Sequence, residues 1–163
     1  MSKIDYKSFI QDNFFILNKQ GELVPFIFND VQNLWYNDLI NYYGEEMQGI
    51  RENDLKGRQF GISSVITGIF ATDFILSELG AIPVTNSDIY SHKDDETAAH
   101  INRFNLFLDS FLMQDQGATI QDMNNIEARE AFRKEFLQVD NGGHIKSKKH
   151  GAEYHTQTAS AKV

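Results

Sequence analysis

Leu55-Lys56-Gly57-Arg58-Gln59-Phe60-Gly61-Ile62-Ser63-Ser64 is the stretch that decides how this chain is read. Leu55 to Gly57 reads as a short strand end and Arg58-Gln59-Phe60-Gly61 as a turn. From Ser63 a helix begins, with Val65, Ile66, Ile69, Phe70, Phe74, Ile75 and Leu79 at 3-to-4 spacing and Gly80 as its stop. A phosphate-binding loop needs this layout: a strand to aim it, a turn with inward N–H groups, and a helix N-terminus carrying partial positive charge. Gly61 occupies the second glycine position of GxxxxGK[ST], and Ser63 the hydroxyl position. Ile62 stands in the place of the usual lysine, and Lys56 in the place of the first glycine. A plainer reading stands beside this one, in which Gly61 makes the turn, Ser63 caps the helix, and Lys56 and Arg58 are solvated.

On the amino-terminal side, Ser2 to Asn13 can form a short helix. Phe14 to Asn18 and Leu23 to Phe28 read as a hairpin around Gly21, with Pro25 demoting the second run to an edge. Asn29 or Asp30 caps a helix through about Tyr43, carrying Val31, Leu34, Trp35 and Leu39 at helical spacing before Gly44. Glu45 to Asn53 reads as a loop. On the carboxyl-terminal side, Ala81 to Ser91 has strand character. Asp94 or Asp95 caps a helix with Ala98, Ile101, Leu108 and Phe111 inward. Ile126 to Leu137 reads as a further helix. His144 to Lys148 and Tyr154 to Thr158 read as two strands joined near Lys149-His150-Gly151. Strands alternating with helices predict an α/β class, with a sheet and crossover helices.

The 163 residues suit one core, and 41% hydrophobic against 23% charged residues is ordinary globular composition. No window approaches a membrane span. The absence of Cys removes disulfides and thiolate metal sites from this chain. A net charge of −8 is the wrong sign for coating nucleic acid, so any DNA contact should be local.

The string LKGRQFGISS resembles the deviant Walker A loop of phage terminase large subunits, the ATPases that package viral DNA. The resemblance covers about residues 9 to 163 and continues into PFIFNDVQNLWY upstream and SHKDDETAAHINRF and EYHTQTASAKV downstream. It implies a P-loop NTPase-like, doubly wound sheet with crossover helices, with a Walker A-like loop at 56–64. Lys56 would be the phosphate lysine and Ser63 the magnesium ligand. Gly57, Gln59, Gly61 and Ser64 would complete the ATP·Mg2+ loop, and Arg58 would contact phosphate or sense hydrolysis. Gln32 would read adenine with its amide in a pocket shaped by Pro25 and Phe26; read alone, Gln32 is an exposed helix residue and Phe26 is core. The implied function is the ATP-binding part of a DNA-translocating motor. Its partners would be double-stranded DNA, the small terminase subunit, the portal protein and further copies of itself. It would work in the host cytoplasm and transiently at the procapsid portal.

Phosphoryl transfer of this class also needs an acidic pair after an apolar strand. No run of four apolar residues followed by Asp-Glu occurs, and no nuclease-type acidic cluster is evident. The chain is therefore expected to be the first part of such an ATPase, with an incomplete sheet and little turnover alone. Two other readings remain open: another P-loop ATPase of helicase-like kind, and a non-catalytic α/β interaction domain. His92, His100, His144, His150 and His155 show no HxxxH spacing on one helix, which argues against a metal site. His144, Lys146, Lys148, Lys149 and His150 form a basic cluster that reads either as a polar hairpin or as a DNA or nucleotide contact.

Overall fold

A computed structural model describes residues 4–44, 61–91 and 93–159. The strand and turn expected at 55–60, with Lys56, Gly57, Arg58 and Gln59, lie outside the described residues, as do the loop expected at 45–53 and His92.

The first unit is helical and hairpin-like. Helix α1 (Tyr6–Asn13) starts where the Asp5 carboxylate accepts from the Ser8 N–H. Strands β1 (Phe15–Leu17) and β2 (Leu23–Pro25) pair antiparallel, closed by Asn18 Oδ1 accepting from the N–H groups of Gln20 and Glu22. Helix α2 (Asp30–Tyr43) begins with a reciprocal capping box between Asn29 and Gln32. That box turns Gln32 inward and rotates the helix. Gln32, Tyr36 and Leu39 are buried, while Val31 and Leu34, expected on the inner face, are exposed. Tyr36 is held there because its hydroxyl accepts from the Lys7 N–H.

Helix α3 (Ile62–Glu78) is buried on most sides, since α1 and α2 pack on it as well as α4. It leads to β3 (Asn86–Ser91) and then to α4 (Asp94–Asp115), the short α5 (Ile120–Met123), and α6 (Ile126–Phe136). Strands β4 (Leu137–Asn141), β5 (His144–Ser147) and β6 (Glu153–Thr158) follow. They form a four-stranded sheet in the order β3-β6-β5-β4, in which β3 and β6 are parallel and the other pairs antiparallel. The chain is thus mixed α/β, and α4 packs on both parallel strands as a crossover helix does.

One face of the sheet holds the core. Tyr154 stacks on Phe104 with centroids 3.9 Å apart, and Phe104 meets Phe74 edge-on at 5.3 Å. Phe14 and Phe26 stack on Phe107 beneath the hairpin. Ile145, Ser147 and Thr156 are buried on the same face as Tyr154. The alternate residues, Asn86, Asp88 and Tyr90 on β3, Glu153, His155 and Gln157 on β6, and His144 and Lys146 on β5, are polar and exposed or half-buried. Among the described residues, helices therefore cover one face of this sheet and leave the other open. The described residues thus do not form the doubly wound sheet expected from the sequence, with helices on both faces, because strands with strict polar alternation cannot be sandwiched between two helical layers without burying unpaired charge.

Candidate functional site

The direction of α3 sets what its amino terminus faces. Near its middle, Phe70 approaches Tyr154 of β6, with ring centroids 6.5 Å apart. Two turns later the Glu78 carboxylate accepts the backbone N–H groups of Lys149 and His150, which precede β6. Ser77 Oγ donates to the Pro83 carbonyl and meets Thr85 Oγ1, both just ahead of β3. The carboxyl end of α3 is thus pinned at the amino ends of the two parallel strands. A helix of 17 residues is roughly 25 Å long, so its amino end extends toward their carboxyl ends. In open α/β sheets that edge is where ligands bind.

Ser63 and Ser64 lie in the first turn of α3 and are half-buried, and Ile62 beside them is buried as a packing residue. Gly61 is the N-cap, with φ +74. Gly61 has no side chain to cap the helix, and among the described residues no side-chain cap bond is made to its first N–H groups. The Ser64 N–H donates to the Gly61 carbonyl at 3.0 Å, and the Ser63 carbonyl accepts the Thr67 hydroxyl at 2.8 Å.

Gln32 is drawn to the same place. Its Nε2 donates to the Gly61 carbonyl at 2.9 Å, and its Oε1 accepts the Asn29 N–H at 2.9 Å. It is 4% exposed, so the plainer reading of an exposed helix residue does not hold. The structure brings Gln32 and Gly61 together although they are far apart in the sequence. Phe26 is fully buried against Phe28 and Phe107, which makes it a core residue, and Pro25 is exposed at the end of β2.

At the carboxyl edge itself, hydroxyls join the two parallel strands to α4. Ser91 Oγ bonds Thr97 Oγ1, Thr97 Oγ1 meets Thr158 Oγ1 at 2.8 Å, and Thr158 Oγ1 donates to Asp94 at 2.7 Å. The Ala159 N–H donates to the Ser91 carbonyl, so the pairing of β3 and β6 persists to that edge. Asp94 acts there as an acceptor at the start of α4, and Lys93 is exposed beside it.

A second constellation stands on the open face of the sheet. His144 and His155 are direct cross-strand partners, and their rings stack 4.2 Å apart. Glu153 Oε2 meets His155 Nε2 at 2.9 Å and His144 Nε2 at 3.2 Å, and its Oε1 accepts from Lys146 Nζ at 2.7 Å. The bonds from Lys146 and then His155 hold the Glu153 carboxyl well below the ordinary range, at about 2. Spacing along the chain argued against a histidine site; pairing across the hairpin brings two histidines and a carboxylate together, with their ligand atoms within 4.8 Å of one another. The legible signal was the His155–Glu153 alternation on one strand, once the β5–β6 register put His144 opposite. Of the basic cluster, Lys146 is spent on Glu153, Lys148 donates to the Lys134 carbonyl, and His150 Nδ1 bonds the Glu78 carbonyl.

A third feature is a cavity of about 390 Å3 between the β1–β2 hairpin and helices α4 to α6, lined in part by Asn102, Asn105, Asp109, Arg129 and Arg133. Asp109 is buried and ion-paired with Arg133 at 2.9 Å. Burial pushes its carboxyl up to about 6 against the pull of Arg133 and Arg129.

Compared with known proteins, the chain matches no family model, no curated protein and no solved structure.

Proposed function

We propose that this chain binds ATP·Mg2+ at the loop leading into α3, as the nucleotide-binding part of a DNA-packaging ATPase of the terminase large-subunit kind. The observation that carries the reading is the direction of α3, which runs opposite to the parallel strands β3 and β6. The amino end of a long helix, without a side-chain cap among the described residues, extends toward the carboxyl edge of two parallel strands, the arrangement that α/β nucleotide sites use. Gly61 in a left-handed conformation at that helix start supports it, because such a turn aims successive N–H groups at an anion. In this reading Ser63 holds the magnesium, Gly57, Gln59, Gly61 and Ser64 line the phosphates, and Lys56 and Arg58 bring positive charge from the other end of the loop.

Gln32 has a twofold part in this reading. A side-chain amide offers two donors and two acceptor lone pairs. Among the described residues its bonds to Gly61 and Asn29 use one N–H and one lone pair, and because the side chain is buried, meeting an adenine edge with the remainder would require it to be uncovered. The same contact couples base recognition to the phosphate loop. No helix of the described residues is long and apolar enough to cross a membrane, which suits a motor that works on DNA in the aqueous phase.

The test is calorimetric titration of ATP·Mg2+ into the wild-type chain and into Lys56→Ala. The expected result is saturable binding that Lys56→Ala weakens about tenfold or more, some 1.4 kcal/mol. Absence of binding by a folded wild-type chain, or equal binding by the variant, contradicts the assignment.

A further inference from the structure

We propose that His144, Glu153 and His155 form a binding site for a borderline divalent transition metal, with Zn2+ as the natural occupant and Co2+ and Ni2+ as its analogues. Nothing in the nucleotide-binding reading uses these residues, and the two stand or fall separately.

The donor set is the first argument. Two imidazoles and one carboxylate match the nitrogen–oxygen preference of Zn2+ and leave a coordination position for solvent or a ligand. Magnesium, which prefers an oxygen shell, fits poorly.

Geometry is the second. Tetrahedral bonds of about 2.0–2.1 Å place neighbouring donor atoms roughly 3.3 Å apart. Glu153 Oε2 lies 3.2 Å from His144 Nε2 and 2.9 Å from His155 Nε2, and the three donor atoms all fall within 4.8 Å of one another. Only the two imidazole nitrogens need adjust, and both rings already stand side by side. A metal seated among the three would keep donor-to-donor separations close to the present ones, with its own bonds of about 2.0–2.2 Å replacing the direct contacts.

The scaffold is the third. All three residues project from paired strands rather than loops, and the register His144↔His155, Ile145↔Tyr154, Lys146↔Glu153 is locked by Ile145 and Tyr154 on the buried face. A one-residue slip would drive those two core side chains into solvent, so the donors cannot drift apart. In the neighbouring strand, Asp88 is the partner of His155, and the parallel pairing puts it on the same face as a second carboxylate next to the pair. The face is polar and open, which gives a hydrated ion a path in.

Lys146 sets the affinity. Its ammonium holds Glu153 Oε1, which orients the carboxylate while leaving Oε2 to the metal. That neighbouring positive charge also opposes a dication, so removing it should tighten binding.

The experiment is a Zn2+ titration of the untagged chain by calorimetry near neutral pH, with Co2+ absorption as a direct report on coordination. The expected result is one equivalent bound with a dissociation constant of about 10 µM or tighter, weakened about tenfold or more in His144→Ala and in His155→Ala. His100→Gln should leave it unchanged, and Lys146→Met should tighten it. Lowering the pH should weaken it, because the metal takes neutral imidazoles. Circular dichroism on each variant separates lost binding from lost folding. No saturable binding by folded wild-type chain at about 100 µM metal overturns the proposal. So does binding that survives in the His144→Ala/His155→Ala double variant. Binding unchanged in Glu153→Gln would overturn Glu153 as a ligand.

Discussion

At Gly61 the backbone holds φ +74, and a Cβ built there would fall 2.6 Å from Gln32 Nε2. A side chain at this position is both strained and in the way of the Gln32 contact. Gly61→Ala should therefore lower stability by about 1–2 kcal/mol in urea unfolding, the cost of a left-handed L-residue, and should loosen α2 from α3. Glu78 is the matching device at the other end of α3. Its buried carboxylate accepts two backbone N–H groups of the turn before β6. Glu78→Ala leaves those donors unpaired and should cost about 2–3 kcal/mol by the same measurement. The helix start at Gly61 was legible from its place just ahead of an apolar-periodic run. The role of Glu78 was not, because its partners lie some seventy residues away and nothing local marks a buried carboxylate.

Among the elements, long amphipathic stretches were read well because their periodicity is a strong signal. Helices α2, α3, α4 and α6 and strands β5 and β6 stand close to where spacing put them. The rotation of α2 escaped notice because a capping box, not apolar count, chose its buried face. Strand β4 escaped too. The run up to Leu137 is helical in pattern and masks the start of the strand, although Asn141-Gly142 between two runs is a strong hairpin signal. In the structure Asn141 Oδ1 accepts from the N–H groups of Gly143 and His144 and closes that turn. Packing between elements centres on Phe104, which meets Phe74 of α3 and Tyr154 of β6 with no exposure. Phe104→Ala should destabilise the fold by about 3–5 kcal/mol, read as a shifted denaturation midpoint with an unchanged slope.

For the whole molecule, the α/β class followed from element order, but the open face of the sheet did not. It depends on register, which the alternation in β3 and β6 specifies only once the strands are paired. The candidate site was legible in the same partial way. The contact of Gln32 with the Gly61 carbonyl spans 29 residues and has no local signal, and the histidine pair needed the hairpin to become visible.

The buried pair of Asp109 and Arg133 gives the molecule a pH response of known sign. Asp109 has its carboxyl raised to about 6 in the folded chain against about 3.9 when unfolded, so the folded state holds that proton more tightly. Its contribution to stability is greatest below pH about 4, is lost as the pH rises to about 6, and amounts to at most about 3 kcal/mol. Unfolding curves of wild type and Asp109→Asn between those pH values should differ in slope, with the variant flatter.

Hydrogen exchange with and without ATP·Mg2+ tests most directly the proposal that nucleotide binds at the loop leading into α3. The account predicts slower amide exchange in the segment spanning residues 56–64, with a smaller effect at the start of α2 around Gln32. The carboxyl end of α3 and the β4–β5 hairpin should not change. Protection absent from 56–64, or confined to the open face of the sheet, would contradict it.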